Sequence, residues 1–132
     1  MAWKKRASPL SAKPYSANTT AWLVNAGFAP QALNATLASQ TTPLILAARQ
    51  GEASVVQELI AAGADLEAAN SDGNTALWAA CYAEQLPIIE QLVSAGANIN
   101  HQNPDGVSVL IYAASAGKTS VVELLLAKGA EK

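Results

Sequence analysis

The sequence predicts an all-α fold, a solenoid of stacked helix–turn–helix units joined by hairpin-like turns. Three observations predict it. The first is a period. Thr42, Thr75 and Ser108 stand 33 residues apart, as do Leu44, Leu77 and Leu110, then Ala47, Ala80 and Ala113, then Gly63, Gly96 and Gly129. A fixed period in this range marks a stacked repeat architecture. The second is that each period holds two apolar segments at helical spacing, the second closed by a glycine. The third is an Asp-Gly turn at each complete joint, Asn70-Ser71-Asp72-Gly73 and Asn103-Pro104-Asp105-Gly106.

Composition agrees. The 132 residues are 51% hydrophobic, with alanine prominent, and only 5% aromatic, which suits close-packed helices better than a sandwich or barrel. The net charge of −2 predicts no general affinity for nucleic acid. Its distribution is uneven. Residues 1–41 hold Lys4, Lys5, Arg6 and Lys13 and no acid, whereas residues 42–132 hold four bases against ten acids. A basic arm therefore precedes an acidic body. Cys81 is the single cysteine, so nothing calls for an oxidising compartment. No apolar run approaches transmembrane length, and no apolar stretch follows the charged start Met-Ala-Trp-Lys-Lys-Arg. The expectation is a cytoplasmic chain that does not enter a membrane.

Residues 1–17, with Pro9, Pro14 and four bases, read as an extended arm anchored by Trp3 and Tyr15. Residues 18–41 read as a degenerate end unit. Asn18, Thr19 or Thr20 can cap a short helix that Gly27 ends, and a helical turn is expected near Gln31–Leu37. Three regular units follow, over 42–74, 75–107 and 108–132. Their first helices are expected at Thr42–Arg49, Thr75–Ala83 and Ser108–Ala116, each opened by a hydroxyl cap, with Pro43 suited to a first helical position. The small pairs Ala47-Ala48, Ala80-Cys81 and Ala113-Ala114 let these helices approach closely. Second helices are expected at Ala53–Ala62, Leu86–Ala95 and Thr119–Lys128.

These units resemble ankyrin repeats. Thr42-Pro43-Leu44-Ile45-Leu46-Ala47-Ala48-Arg49-Gln50-Gly51 is similar to that family's Thr-Pro-Leu-His-x-Ala-Ala-x-x-Gly segment. Val55 to Asp65 resembles its second helix with the closing Gly-Ala-Asp. The resemblance covers Thr42 to Lys132, with a weaker cap from about Asn18. It departs from the family at named places. Ile45, Trp78 and Ile111 replace the histidine, so packing must substitute for its polar tie. Glu84 stands where Gly51 and Gly117 do, which forces strain or a rerouted turn. Pro87 follows, and is acceptable only near a helix start. The last unit leaves Leu124 and its neighbours partly exposed.

No catalytic set survives inspection, so a non-enzyme is expected, with no cofactor, no metal and no small-molecule substrate. Gly117-Lys118-Thr119 matches only the end of a phosphate-binding loop, since Tyr112 occupies the place of the required glycine. His101 and Cys81 are single and 20 residues apart, too few for a zinc site or a nucleophilic triad. Cys81 reads as a small core residue.

The stack itself offers a concave face of first helices and turn fingers, whose outward residues can vary without harming the core. The resemblance implies that these positions meet a protein partner: Arg49, Gln50, Ser71, Asp72, Asn74, Trp78, Tyr82, Pro104, Asp105, Val107 and Ser115. Trp78 and Tyr82 are four apart on one helix face and are the expected anchors. Asp72 and Asp105 favour basic groups on the partner. The expected function is a non-catalytic protein–protein interaction module (adaptor, inhibitor or assembly factor), monomeric when free. The alternative is a nucleic-acid or anionic-surface binder using the basic arm, which the acidic body disfavours.

Overall fold

The structure, a computed structural model, describes residues 15–131. Trp3 and the four bases of the expected arm lie outside the described residues. Within them the chain forms α1 (Ala17–Ala26), a 3-10 turn (Ala38–Gln40), α2 (Pro43–Gln50), α3 (Ala53–Ala61), α4 (Ala76–Tyr82), α5 (Leu86–Ser94), α6 (Val109–Ser115) and α7 (Thr119–Ala127). The only strand-like pairing among the described residues is an isolated bridge between Gln102 and Ser108. The helices make two rows: α2, α4 and α6 pack in turn in the first, and α1, α3 and α5 in the second. Each regular unit pairs a first-row helix with the helix that follows it.

The apolar period builds one continuous core. Val55 and Val56, Ile88 and Ile89, then Val121 are buried on the second helices, as are Leu59, Leu92 and Leu125 in one register. Ala47, Ala48, Ala80 and Cys81 are fully buried between first-row helices, so the small pairs do allow close approach. Ala113 is buried as well, but Ala114 is exposed because no further unit covers it among the described residues. The same edge leaves Leu126 exposed and Leu124 half-buried, as expected of the last unit.

Units are also tied by polar clips. The Asn34 side chain accepts the Asp65 N–H, that of Glu67 the Asn98 N–H, and that of Asn100 the Glu131 N–H, each at 2.9 Å. These bonds satisfy loop N–H groups that would otherwise rely on water.

The end unit differs from expectation in two places. Its helix is capped by Ser16, whose hydroxyl accepts the Thr19 N–H, and not by Asn18, Thr19 or Thr20. Thr19 is buried and its hydroxyl instead donates to Glu58 at 2.8 Å. Glu58 also accepts the Ser16 N–H and hydroxyl, both at 2.7 Å, which fixes α1 to α3. Tyr15 is anchored nearby, its hydroxyl donating to the Ala32 carbonyl at 3.0 Å. Gly27 ends α1 in the left-handed region as expected.

The second difference concerns Gln31–Leu37, which is not helical; the turn comes at Ala38–Gln40. This stretch is spent on a third finger. The Leu37 N–H bonds the Thr41 carbonyl at 2.9 Å, just as Asn70 bonds Asn74 and Asn103 bonds Val107, each at 3.0 Å. Ser39 and Gln40 take positive φ there (61° and 59°) without the Asp-Gly pair that marks the other two fingers.

The Glu58 cluster makes a pH prediction. The Ser16 N–H, then the Ser16 hydroxyl and the Thr19 hydroxyl, hold the Glu58 carboxyl below its ordinary value near 4.5, against a smaller opposing effect of burial. A depressed folded pKa contributes stability above the unfolded value, and that contribution is lost as pH falls through the folded one. Attachment of α1 should therefore weaken on acidification below about pH 4.5, seen as a lower protection factor for the Leu23 amide against its intrinsic exchange rate at each pH. Glu58→Gln should flatten that dependence. A dependence that persists in the variant would place its origin elsewhere.

Candidate functional site

The first-row helices and the fingers enclose a groove of about 160 Å³. Ile45 and Arg49 of α2 form one wall, and Trp78, Ala79 and Tyr82 of α4 the other. Asn70, Asp72, Asn74 and Thr75, from the finger and the α4 cap, close one end. Five of the expected partner-facing residues meet here: Arg49, Asp72, Asn74, Trp78 and Tyr82. Ile45, Asn70, Thr75 and Ala79 were not among the residues expected to face a partner.

The chain builds this groove locally. Asn70 shapes its finger by accepting the Asp72 and Asn74 N–H groups through Oδ1, at 3.0 and 3.1 Å. Asn103 repeats the motif with Asp105 and Val107. The fingers then bond to one another. Ser71 N–H donates to the Ser39 carbonyl at 2.9 Å, His101 Nε2 lies 3.1 Å from the Gly73 carbonyl, and Asn103 Nδ2 lies 3.4 Å from Asn74 Oδ1. Thr42 and Ser108 cap their helices by accepting the Ile45 and Ile111 N–H groups. Thr75 has a similar extended backbone, but its hydroxyl makes no capping bond, contrary to expectation. Thr75 is buried and is one of the residues at the closed end of the groove.

Beside the groove is an aromatic cluster. Trp78 packs on Tyr112 of α6 at 4.7 Å between ring centroids, and Tyr82 stacks on the same Tyr112 at 6.3 Å. Tyr112 was missed because its contact crosses between units and lies off the register of Trp78. Tyr82 is 58% exposed, and Ile111, next to Tyr112, is 50% exposed. At the three positions where the resemblance expects histidine, Ile45 is buried, Trp78 half-buried and Ile111 exposed. Packing does replace the polar tie, except at the last unit.

The remaining expected residues scatter around this centre. Gln50 accepts from Trp22 Nε1 at 2.9 Å and so faces the end unit. The Ser115 hydroxyl donates back to the Tyr112 carbonyl of its own helix. Ser71, Pro104, Asp105 and Val107 belong to the fingers, with Pro104 lying over Gly73.

Glu84 does adopt a left-handed conformation, with φ of 56°, where glycine stands in the other units. Its carboxylate accepts from Lys118 Nζ at 3.0 Å in the next unit, and that ammonium sits 5.9 Å from the centroid of the Tyr82 ring. The Lys118 side chain is only 16% exposed, and the Glu84 hydrogen bond holds its pKa above the ordinary value. The strained residue thus fixes a cation beside Tyr82, the most exposed aromatic ring among the described residues. Because a left-handed backbone penalises any side chain with a Cβ, Glu84→Gly should be more stable than Glu84→Ala by about 1 kcal/mol in denaturant unfolding. Equal midpoints for the two variants would mean that the turn carries no strain.

Burial pushes the Cys81 thiol up to about 12, against the smaller opposing pull of Lys118, which disfavours the thiolate. Among the described residues, no group of His, Cys, Asp and Glu could hold a metal ion, and no helix is long and apolar enough to cross a membrane. A family model described as ankyrin repeats (3 copies) matches residues 10–103 and 71–132. No curated protein matches the chain significantly.

Proposed function

The chain belongs to the ankyrin-repeat family, and from that premise we propose that it is a non-catalytic protein-binding module that grips a partner with its first-row helices and fingers. Ankyrin repeats are in general protein–protein interaction modules. The observation that supports this face is its exposed apolar strip. Tyr82 and Ile111 are large, solvent-facing and adjacent to the Trp78–Tyr112 stack on the same row of helices. Exposed aromatics held rigid by their neighbours lose little entropy on binding, which is why such residues serve as anchors. The role is that of an adaptor, inhibitor or assembly factor acting by occlusion or scaffolding. In this reading the protein is cytoplasmic and monomeric when free.

The test is to capture the partner from the native cell and measure its affinity for variants. Tyr82→Ala should weaken binding by about 2 kcal/mol or more, as expected for a hot spot. Melting should hardly change, because the side chain is mostly exposed. Full affinity in both Tyr82→Ala and Ile111→Ser would move the interface off this face. The basic arm carries no second reading, since the body that follows it is acidic.

A further inference from the structure

The last unit repeats the first one on the side that a following unit would cover. Ile45, Ala47, Ala48, Gly51, Val55 and Val56 recur unchanged two periods on, as Ile111, Ala113, Ala114, Gly117, Val121 and Val122. The middle unit breaks the match with Trp78, Cys81, Glu84, Ile88 and Ile89. The two copies of this face have opposite fates. In the first unit α4 and α5 pack over it, so that Ile45 is 2% exposed and Ala48 and Val56 have no exposed surface. In the last unit no described residue covers it. Ile111 is 50% exposed, Ala114 is exposed and Val122 is half-buried. Leu126, the counterpart of the half-buried Ile60, is exposed as well. What remains is a notch of about 250 Å³, lined by Ala113, Ala114, Gly117, Lys118, Thr119 and Val122. Its one charge is the Lys118 ammonium, which Glu84 already holds.

Because the faces are identical at these six positions, the first joint shows what fits the second. There α4 brings Ala76, Ala79 and Ala80 into the shared core, small residues that let two helices approach closely. The Gln85 side chain lies over Gly51, and Gln91 Nε2 donates to the Ala53 carbonyl at 3.1 Å. At the last unit the place over Gly117 is open, with no described atom within 4 Å of a Cβ added there. We propose that this end face docks a helix–turn–helix unit of a second polypeptide. Its first helix carries small apolar residues at i, i+3 and i+4, and its second an amide side chain for the Thr119 carbonyl. This goes beyond the reading above and uses a surface apart from Tyr82; Ile111 lies on the shared rim. A second folded copy of this chain is not the occupant. In α2, Pro43, Leu46 and Ala47 stand in register with Ala76, Ala79 and Ala80. Pro43 and Ala47 are already buried, and Leu46 packs on the core of the end unit. Two such notches would not fill one another either, since each is lined mainly by small residues.

The probe is a synthetic peptide spanning Asn70 to Ala97 of this same sequence, the segment that covers the identical face in the first joint. It is titrated into the isotope-labelled full chain and followed by NMR. The Ala114, Gly117 and Val122 amides should shift, and the peptide should gain helix as it docks. Ala114→Arg should weaken binding at least about tenfold by filling the notch. Its melting temperature should hold, because Ala114 is exposed. Leu126→Glu, on the other helix of the unit, should weaken binding likewise. Tyr82→Ala should bind the peptide as the unaltered chain does. A peptide carrying Ala79→Glu and Ala80→Glu should not bind, because its carboxylates would be buried without partners. The proposal fails if millimolar peptide produces no shifts, if Ala114→Arg and Leu126→Glu keep full affinity, or if the glutamate peptide binds equally. It fails also if the shifts are confined to Trp78 and Tyr82, or if the full chain self-associates in sedimentation and Ala114→Arg abolishes that, which would make a second copy the occupant. A partner's grip on Tyr82 is decided separately, by the affinity of Tyr82→Ala for that partner.

Discussion

Leu92→Ala is expected to cost about 2 to 5 kcal/mol, the range for emptying a fully buried leucine site. Leu92 has no exposed surface and sits in the middle unit, between the counterparts Leu59 and Leu125. A domain of this size has only about 5 to 15 kcal/mol in total, so the loss is a large share of it. Position along the stack adds a second expectation. Because each unit is stabilised mainly by its neighbours, a cavity in the centre weakens both interfaces, whereas one at the end weakens one. Leu125→Ala should therefore fray α7 first and leave amide protection in α2 and α3 close to normal. Leu92→Ala should lower protection on both sides. Native-state hydrogen exchange distinguishes the two, and an identical pattern would mean that the stack unfolds as one block.

Gly73→Ala carries the other large effect. Gly73 has φ of 80°, and a Cβ there would overlap the ring of Pro104 on the next finger. The left-handed penalty and the overlap together should cost roughly 2 to 4 kcal/mol. Gly106 supplies the control, since its φ of 78° is nearly the same but nothing lies within 4 Å of the added carbon. Gly106→Ala should show the backbone penalty alone, about 1 to 2 kcal/mol. Adding Pro104→Ala to Gly73→Ala should recover the difference between the two. If urea unfolding gives the same loss at both glycines, the fingers do not press on one another.

The contrast between these glycines shows where sequence reading stops. The 33-residue register places Gly73 and Gly106 in equivalent turns and says nothing of Pro104 lying across only one of them. Period and helix pairing were legible because burial repeats with the chain: Leu59, Leu92 and Leu125 face the same core for the same reason. The first finger was legible in principle, since Gln40 is 33 residues before Gly73. It went unseen because Ser39 and Gln40 lack turn chemistry, and the strain is sustained by the Leu37–Thr41 and Ser39–Ser71 bonds around it. Ser16 was overlooked as a cap because it borders the proline-containing arm, and its partner Glu58 is 42 residues away.

The groove was half legible. Trp78 and Tyr82 stand out by their spacing on one helix, and Arg49 and Asp72 by their places in the unit. Tyr112 could not be found that way, because stacking on Trp78 depends on how α4 and α6 lie together. The missing cap at Thr75 could not be found either, since it shares residue type and an extended backbone with Thr42, whose hydroxyl does accept the Ile45 N–H.

The three clips from Asn34, Glu67 and Asn100 each reach 31 residues along the chain with the same bond length, 2.9 Å. Every unit thus hands its successor an acceptor at one fixed place and asks nothing else of it there. A unit could be deleted or duplicated whole without stranding a donor, whereas a fraction of a unit could not. The molecule is quantised in length, and the surface it offers to another protein can grow or shrink only in those same steps.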